Sequence, residues 1–373
     1  MNSPQCGLEW LSLAGPARWL AAMLLSACVV SAFLAHWSLL DGAPRNSLQL
    51  FLAGQAERPF AYRVLAPALV RAVDAALPAP VQDFLADRIA PSLRVRYVEP
   101  LRALYERLAP GITARADADW AKAPYRRSYV LMVMLTWASF TAALLLIRRA
   151  AGLLGASAFR AHAVMLLYAV ITPTLFLNGG YFYDFTEQLG VAALICCVLQ
   201  ARWPLALGVL LLMQANKETA LLMVIFMVPY AWCAIQWRML APAALALLLC
   251  GLMLLWVRWM FSALPGQPTE WHLEDNLLFW ARELSWRASE DFYQTGVALP
   301  RMTFLYFALA ALAVGWWRQA GPTVLAASLS FLVLAVLLVC MGFQDEFRNL
   351  SLALPLLVLL LAEGRTGQLP EPV

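Results

Sequence analysis

The sequence predicts an all-α fold: a polytopic α-helical membrane protein of about ten transmembrane helices, forming a single integral membrane domain over residues 1–373. Three observations predict it. The 373 residues are 62% hydrophobic and 13% charged, with a mean hydropathy of +0.68, whereas a soluble domain has about 45–50% apolar and about 25% charged residues. Apolar runs long enough to cross a bilayer recur along the chain. The short loops between them alternate in kind, arginine-rich in one set and acid-containing in the other.

The first run, 17–40, is about 24 residues long, enough for a helix across a hydrocarbon core of about 30 Å. It is read as a retained transmembrane helix, because no cleavable signal has convincing character. Further runs fall near 128–147, 161–178, 186–201, 219–236, 239–262, 302–317, 321–341 and 347–363. The run 203–213 has 11 residues, a helix of only about 16 Å.

The positive-inside rule orients these runs. Arg148, Arg149, Arg160, Arg202, Arg238, Arg318 and Arg365 fall in one set of short loops, read as cytoplasmic. Asp184 and Glu187, Lys217 and Glu218, and Asp345, Glu346 and Arg348 fall in the other set, read as external. Arg202 and Arg238 then share a side, so 203–236 is a hairpin and QANKETAL (214–221) is its outward tip. Ten spans with both termini cytoplasmic follow.

Two external loops are long, 41–126 and 263–300. In the first, Leu65, Leu69, Val73 and Leu77 recur every fourth residue opposite Arg63, Arg71 and Asp74, and Leu101, Leu104, Tyr105 and Leu108 form a second stripe. Both patterns predict juxtamembrane amphipathic helices. The second loop, with EWHLEDNLLFWARELSWRASEDFY, carries the aromatic residues that suit a membrane interface.

Several functions are disfavoured. The net charge of +4 is spread over loops, so no nucleic-acid partner is expected. The seven cysteines form no CxxC, and His36, His162 and His272 are far apart, so no metal site is read from them. No cofactor is assigned. Carboxylates would suit Mg²⁺ or Mn²⁺, which leaves a divalent cation as the one candidate.

What points to chemistry is one-sidedness. Asp41, Glu57-Arg58-Pro59-Phe60-Ala61-Tyr62-Arg63, the YFYDFTE stretch with Tyr183 and Asp184, Asn216-Lys217-Glu218-Thr219, and the Glu346–Arg348 pair all fall at external ends of spans. Cations there could hold phosphate while a carboxylate accepts a proton from a hydroxyl. Each cluster also has a plain reading. Asp41 precedes Gly42 and fits a turn. Glu57-Arg58-Pro59 fits the solvated start of a surface helix, and Glu346–Arg348 fits an exposed salt bridge. QANKETAL is the sharpest case, because a Lys at a helix centre costs about 2.5–3.5 kcal/mol. The short run before it leaves Lys217 recessed, so it needs an anionic partner: Glu218, Glu346 or a substrate phosphate.

The layout resembles the GT-C glycosyltransferases, which use polyprenyl-phosphate sugars. It shares a first span, a long external loop of juxtamembrane helices with an acid at its start, and many later spans with short loops. The pieces RPFAYRVLAP, YDFTE, NKETAL and DEFRNLSLALP also resemble a set that recurs in bacterial polytopic proteins of that type. The resemblance implies a bacterial inner-membrane enzyme that moves a sugar from a lipid-linked donor to a glycan or lipid acceptor on the external face. It implies that Asp41, with Glu57 as competitor, activates the acceptor. Arg58, Arg63, Lys217 and Arg348 would bind the donor phosphate, and Tyr62 and Tyr183 would offer surfaces to sugar rings. The loop reads DGAPRN after the span, without the paired acids of the family. The alternatives are a transporter or flippase for a lipid-linked sugar and a non-catalytic subunit of a polysaccharide assembly system.

Overall fold

A computed structural model describes residues 15–100, 117–177, 179–233, 240–282, 289–291, 298–300, 302–318, 321–344 and 346–362. Nearly all of them are helical. The exceptions with regular structure are β1 (Ser289–Asp291) and β2 (Ala298–Pro300), a short antiparallel pair.

The long helices are α1 (Pro16–Trp37), α6 (Ala123–Leu153), α7 (Ala158–Leu175), α8 (Phe182–Leu199), α11 (Leu240–Met260) and α14 (Gly321–Met341). These six are long and apolar enough to cross a membrane. Shorter apolar helices are α9 (Trp203–Asn216), α10 (Val224–Cys233) and α13 (Thr303–Arg318). Prolines stand in the first turns of α1, α6 and α9, where the missing N–H has no helical partner to lose. Ser157 caps α7 by accepting the Arg160 backbone N–H.

The order of burial shows how the bundle is built. The apolar window of α8 is 78% buried and that of α11 only 22%. So α8 is the central post, packed mainly on α6 and α9, while α11 shows Leu255, Trp256 and Trp259 to the surroundings. One continuous apolar core joins Ala22 of α1 to Ala362 near the chain's end.

The loop after α1 holds α2 (Leu48–Ala53), α3 (Leu65–Ala76), α4 (Ala79–Phe84) and α5 (Ala90–Leu93), with π-helical turns at Leu85–Ile89 and Arg94–Val98. α3 turns Ala66 and Val70 inward and packs on α6, where Asp74 receives both a 2.9 Å and a 3.2 Å bond from Arg127. Leu69 and Val73 of the expected apolar stripe face outward, as suits a helix lying against lipid. The second stripe, Leu101 to Leu108, lies outside the described residues.

The hairpin at QANKETAL is broken rather than tight. α9 ends at Asn216, Lys217 is extended (φ −161°), and a 3₁₀ segment runs from Glu218 to Met223 before α10. The arms then part, α9 packing on α8 and α11, and α10 on α14.

The run 347–363 is not one continuous helix over its described part. It forms a 3₁₀ turn (Phe347–Leu350), a turn, and α15 (Leu354–Leu359). Six residues of helix rise only about 9 Å, and every residue of α15 is fully buried. Irregular backbone at such depth is tolerated where protein, not lipid, surrounds it.

In the second long loop, α12 (Leu273–Trp280) docks under the end of α14. The Asn276 amide donates to the carbonyls of Leu338, Val339 and Gly342 and accepts from Gln344 N–H. One buried side chain thus satisfies carbonyls that a helix end leaves free.

Candidate functional site

The start of α8, the break after α9, the segment before α3 and residues 346–351 meet at one end of the bundle. Lys217 joins them. Its Nζ lies 3.0 Å from Glu187 Oε2 and 3.3 Å from Asp184 Oδ1. Asp184 and Glu187 stand three residues apart on α8, so the helix presents both on one face. Asp184 also accepts the Tyr181 backbone N–H at 3.0 Å, fixing the helix start. Glu187 receives two further bonds, from Ser351 Oγ at 2.6 Å and Thr219 Oγ1 at 3.0 Å. Asn216 closes the group by donating to the Tyr183 carbonyl and accepting from Thr186 Oγ1.

Two arginines flank this core. Arg348 binds Glu346 at 2.7 Å, lies 3.7 Å from Asp184, and has its guanidinium 4.2 Å from the Tyr181 ring centre. Arg63 reaches Glu218 at 3.2 Å, donates to the Tyr183 hydroxyl and lies over the Tyr183 ring. The stacked rings of Tyr181 and Tyr183 (5.0 Å, 15°) separate the two guanidinium groups. Within this cluster Arg63, Lys217 and Arg348 face Asp184, Glu187, Glu218 and Glu346, three cations against four acids.

The structure therefore gives Lys217 a partner outside the sequence candidates: the two acids of α8 rather than Glu218 or Glu346. It brings Arg63, Tyr183, Asp184, Asn216, Lys217, Glu218, Glu346 and Arg348 together, but each cation already meets a carboxylate. Asp345 lies outside the described residues.

Arg58 and Tyr62 stand in a different setting. Arg58 N–H donates to the Pro265 carbonyl at 2.9 Å and bridges Gly266. A Cβ at Gly266 would lie 2.4 Å from the Arg58 carbonyl, and its φ is +92°, so only glycine fits. Tyr62 is buried, with Arg258 of α11 5.8 Å from its ring centre. The Nε atoms of Arg58 and Arg258 are both buried without a hydrogen-bond partner among the described residues. Neither arginine has an ion pair there.

Asp41 and Glu57 also differ. Asp41 is buried just past α1. It receives a 2.7 Å bond from Tyr125 and another from Ser38, which in turn meets the Tyr129 hydroxyl. Burial pushes its carboxyl above the ordinary aspartate value, with the bonds from Ser38 and Tyr125 opposing. Glu57 is half-buried in an ion-pair chain, Glu57–Arg45–Glu270, with both distances 2.8 Å. No hydrogen bond or ion pair links Asp41 to the Lys217 cluster among the described residues.

The sequence places Tyr181 and Glu187 in the YFYDFTE cluster without a role of their own and gives none to Ser351 or Arg258. The three-residue spacing from Asp184 is the signal for Glu187. Arg258, a lone cation in LLWVRWMF, is the signal for the second arginine. Nothing local marks Ser351. No three His, Cys, Asp or Glu side chains gather to hold a metal ion among the described residues. No protein-family model, curated protein or solved structure matches the chain.

Proposed function

We propose that the protein is a membrane glycosyltransferase that moves a sugar from a polyprenyl-phosphate donor to an envelope glycan or lipid acceptor. In this reading the chain crosses the bacterial inner membrane ten times with both termini cytoplasmic, and the Lys217 cluster lies on the external side. The observation that carries it is two partly buried cations, Arg58 and Arg258, with no carboxylate partner among the described residues, Arg258 lying 5.8 Å from the Tyr62 ring centre. A buried uncompensated cation is costly, and a phosphate supplies the missing charge.

The roles divide accordingly. Arg58 and Arg258 bind the donor phosphate and stabilise it as the C1–O bond breaks and the polyprenyl phosphate leaves with the electron pair. The acceptor oxygen bonds to C1 and passes its proton to a carboxylate. Asp41 suits that role better than Glu57, because burial raises its proton affinity while the Glu57 carboxylate is already engaged by Arg45 at 2.8 Å. Arg63, Lys217 and Arg348 are compensated, so they brace the wall of the site; Tyr181 and Tyr183 stack on each other beneath Arg348 and Arg63, which leaves neither ring a free face for a sugar.

The test is transfer by purified protein in liposomes with a polyprenyl-phosphate sugar. Arg58→Gln and Arg258→Gln should each raise the donor KM about tenfold or more, and Asp41→Asn should lower kcat. Full activity in all three variants would sink the assignment.

A second reading, a transporter or flippase for a lipid-linked sugar, is favoured by the break at Asn216–Met223. Ionisable groups in discontinuous helices are what transporters use. Lipid-linked sugar crossing a liposome bilayer without covalent transfer would select it.

A further inference from the structure

The opposite end of the bundle holds a cavity of about 510 Å³ between α1, α6 and α7. Arg18, Arg148 and Arg149 line it together with Trp19, Leu145 and Leu146, and no carboxylate is among the described residues of the lining. Arg148 donates to His162 Nε2 at 3.2 Å and Arg149 to Gln200 Oε1 at 3.4 Å. The cavity thus pairs an apolar wall with three guanidinium groups.

We infer that this cavity binds an anionic phospholipid, phosphate against the arginines and acyl chain against the leucines and Trp19. Three features favour that occupant. The volume is that of a small-molecule pocket. Arginine matches phosphate oxygens in two-pronged fashion. Basic pockets between transmembrane helices take acidic head groups, and this is the end that the positive-inside rule assigns to the cytoplasm. The site is remote from Arg58, Arg258 and Lys217, so it stands whether or not the protein transfers sugars.

The experiment is native mass spectrometry of the full chain, delipidated in detergent and then offered phosphatidylglycerol, phosphatidylcholine or inorganic phosphate. Phosphatidylglycerol should bind best. Arg148→Gln and Arg149→Gln should each weaken it about fivefold. Gly152→Phe supplies a second route: Gly152 lines the cavity, and a Cβ there meets nothing within 4 Å. That variant fills the space with every arginine kept, so it should also displace phosphatidylglycerol, even if the arginine variants fail to fold. Equal binding of phosphatidylcholine overturns the proposal. So does inorganic phosphate binding as tightly as the lipid, or a Gly152→Phe protein that keeps full phosphatidylglycerol occupancy.

Discussion

Lys217 and Glu187 form a buried ion pair at 3.0 Å, the ammonium 3% exposed and the carboxylate 1%. Removing one member leaves the other charge uncompensated in a dry interior, at about 3–5 kcal/mol. Lys217→Met strands two acids, whereas Glu187→Gln still leaves Lys217 with Asp184. The lysine variant should therefore unfold at the lower temperature in detergent, and Lys217→Met/Glu187→Gln should recover part of the loss. A double variant no better than Lys217→Met would show that the pair is not coupled.

Gly266 should not accept a side chain. Its Cβ would press on the Arg58 carbonyl, and the positive φ adds strain of about 1–3 kcal/mol. Gly266→Ala should lower thermal stability and loosen the segment that carries Arg58. Faster hydrogen exchange at Arg58 and its neighbours would report it, and unchanged protection would argue against the contact.

Asp41→Asn tests the buried carboxyl through pH. The folded protein holds the Asp41 proton more tightly than the unfolded chain does, because burial raises the group. Its contribution to stability is therefore fully present below the unfolded value and lost as pH rises through the folded one. At neutral pH the asparagine variant should be at least as stable as the parent, and its advantage should shrink on acidification. Thermal unfolding across a pH series decides this, and an advantage that grows toward acid would contradict the assignment.

Asn276→Ala should free the end of α14. The substitution strands the carbonyls of Leu338, Val339 and Gly342 and the Gln344 N–H, and an unmet buried polar group costs about 1–3 kcal/mol. Proteolysis should speed up in the second long loop while Asn276→Asp retains only the bond from Gln344. Equal resistance in parent and alanine variant would remove the anchoring role.

Composition and run length by themselves determined that the chain is helical and of membrane character. Burying that much apolar surface requires either lipid or a very large core; the long runs at 128–147 and 321–341 each lie inside a long helix, and 161–175 of the run 161–178 does too. The periodicity of α3 was also legible, since a repeat near four residues survives wherever the helix lies. Tertiary structure decided the rest. A run of leucines looks the same whether it faces lipid or protein, so 347–363 reads as a span, yet its described part folds as short buried pieces because neighbouring helices enclose it. Lys217 looks like a partner for adjacent Glu218, but the extended backbone at Lys217 sends the two side chains apart, to α8 and to Arg63. The pairing of Lys217 with Glu187 joins residues 30 positions apart, and Ser351 joins the same acid from 164 positions away. Such contacts depend on how helix ends converge, which no local pattern encodes.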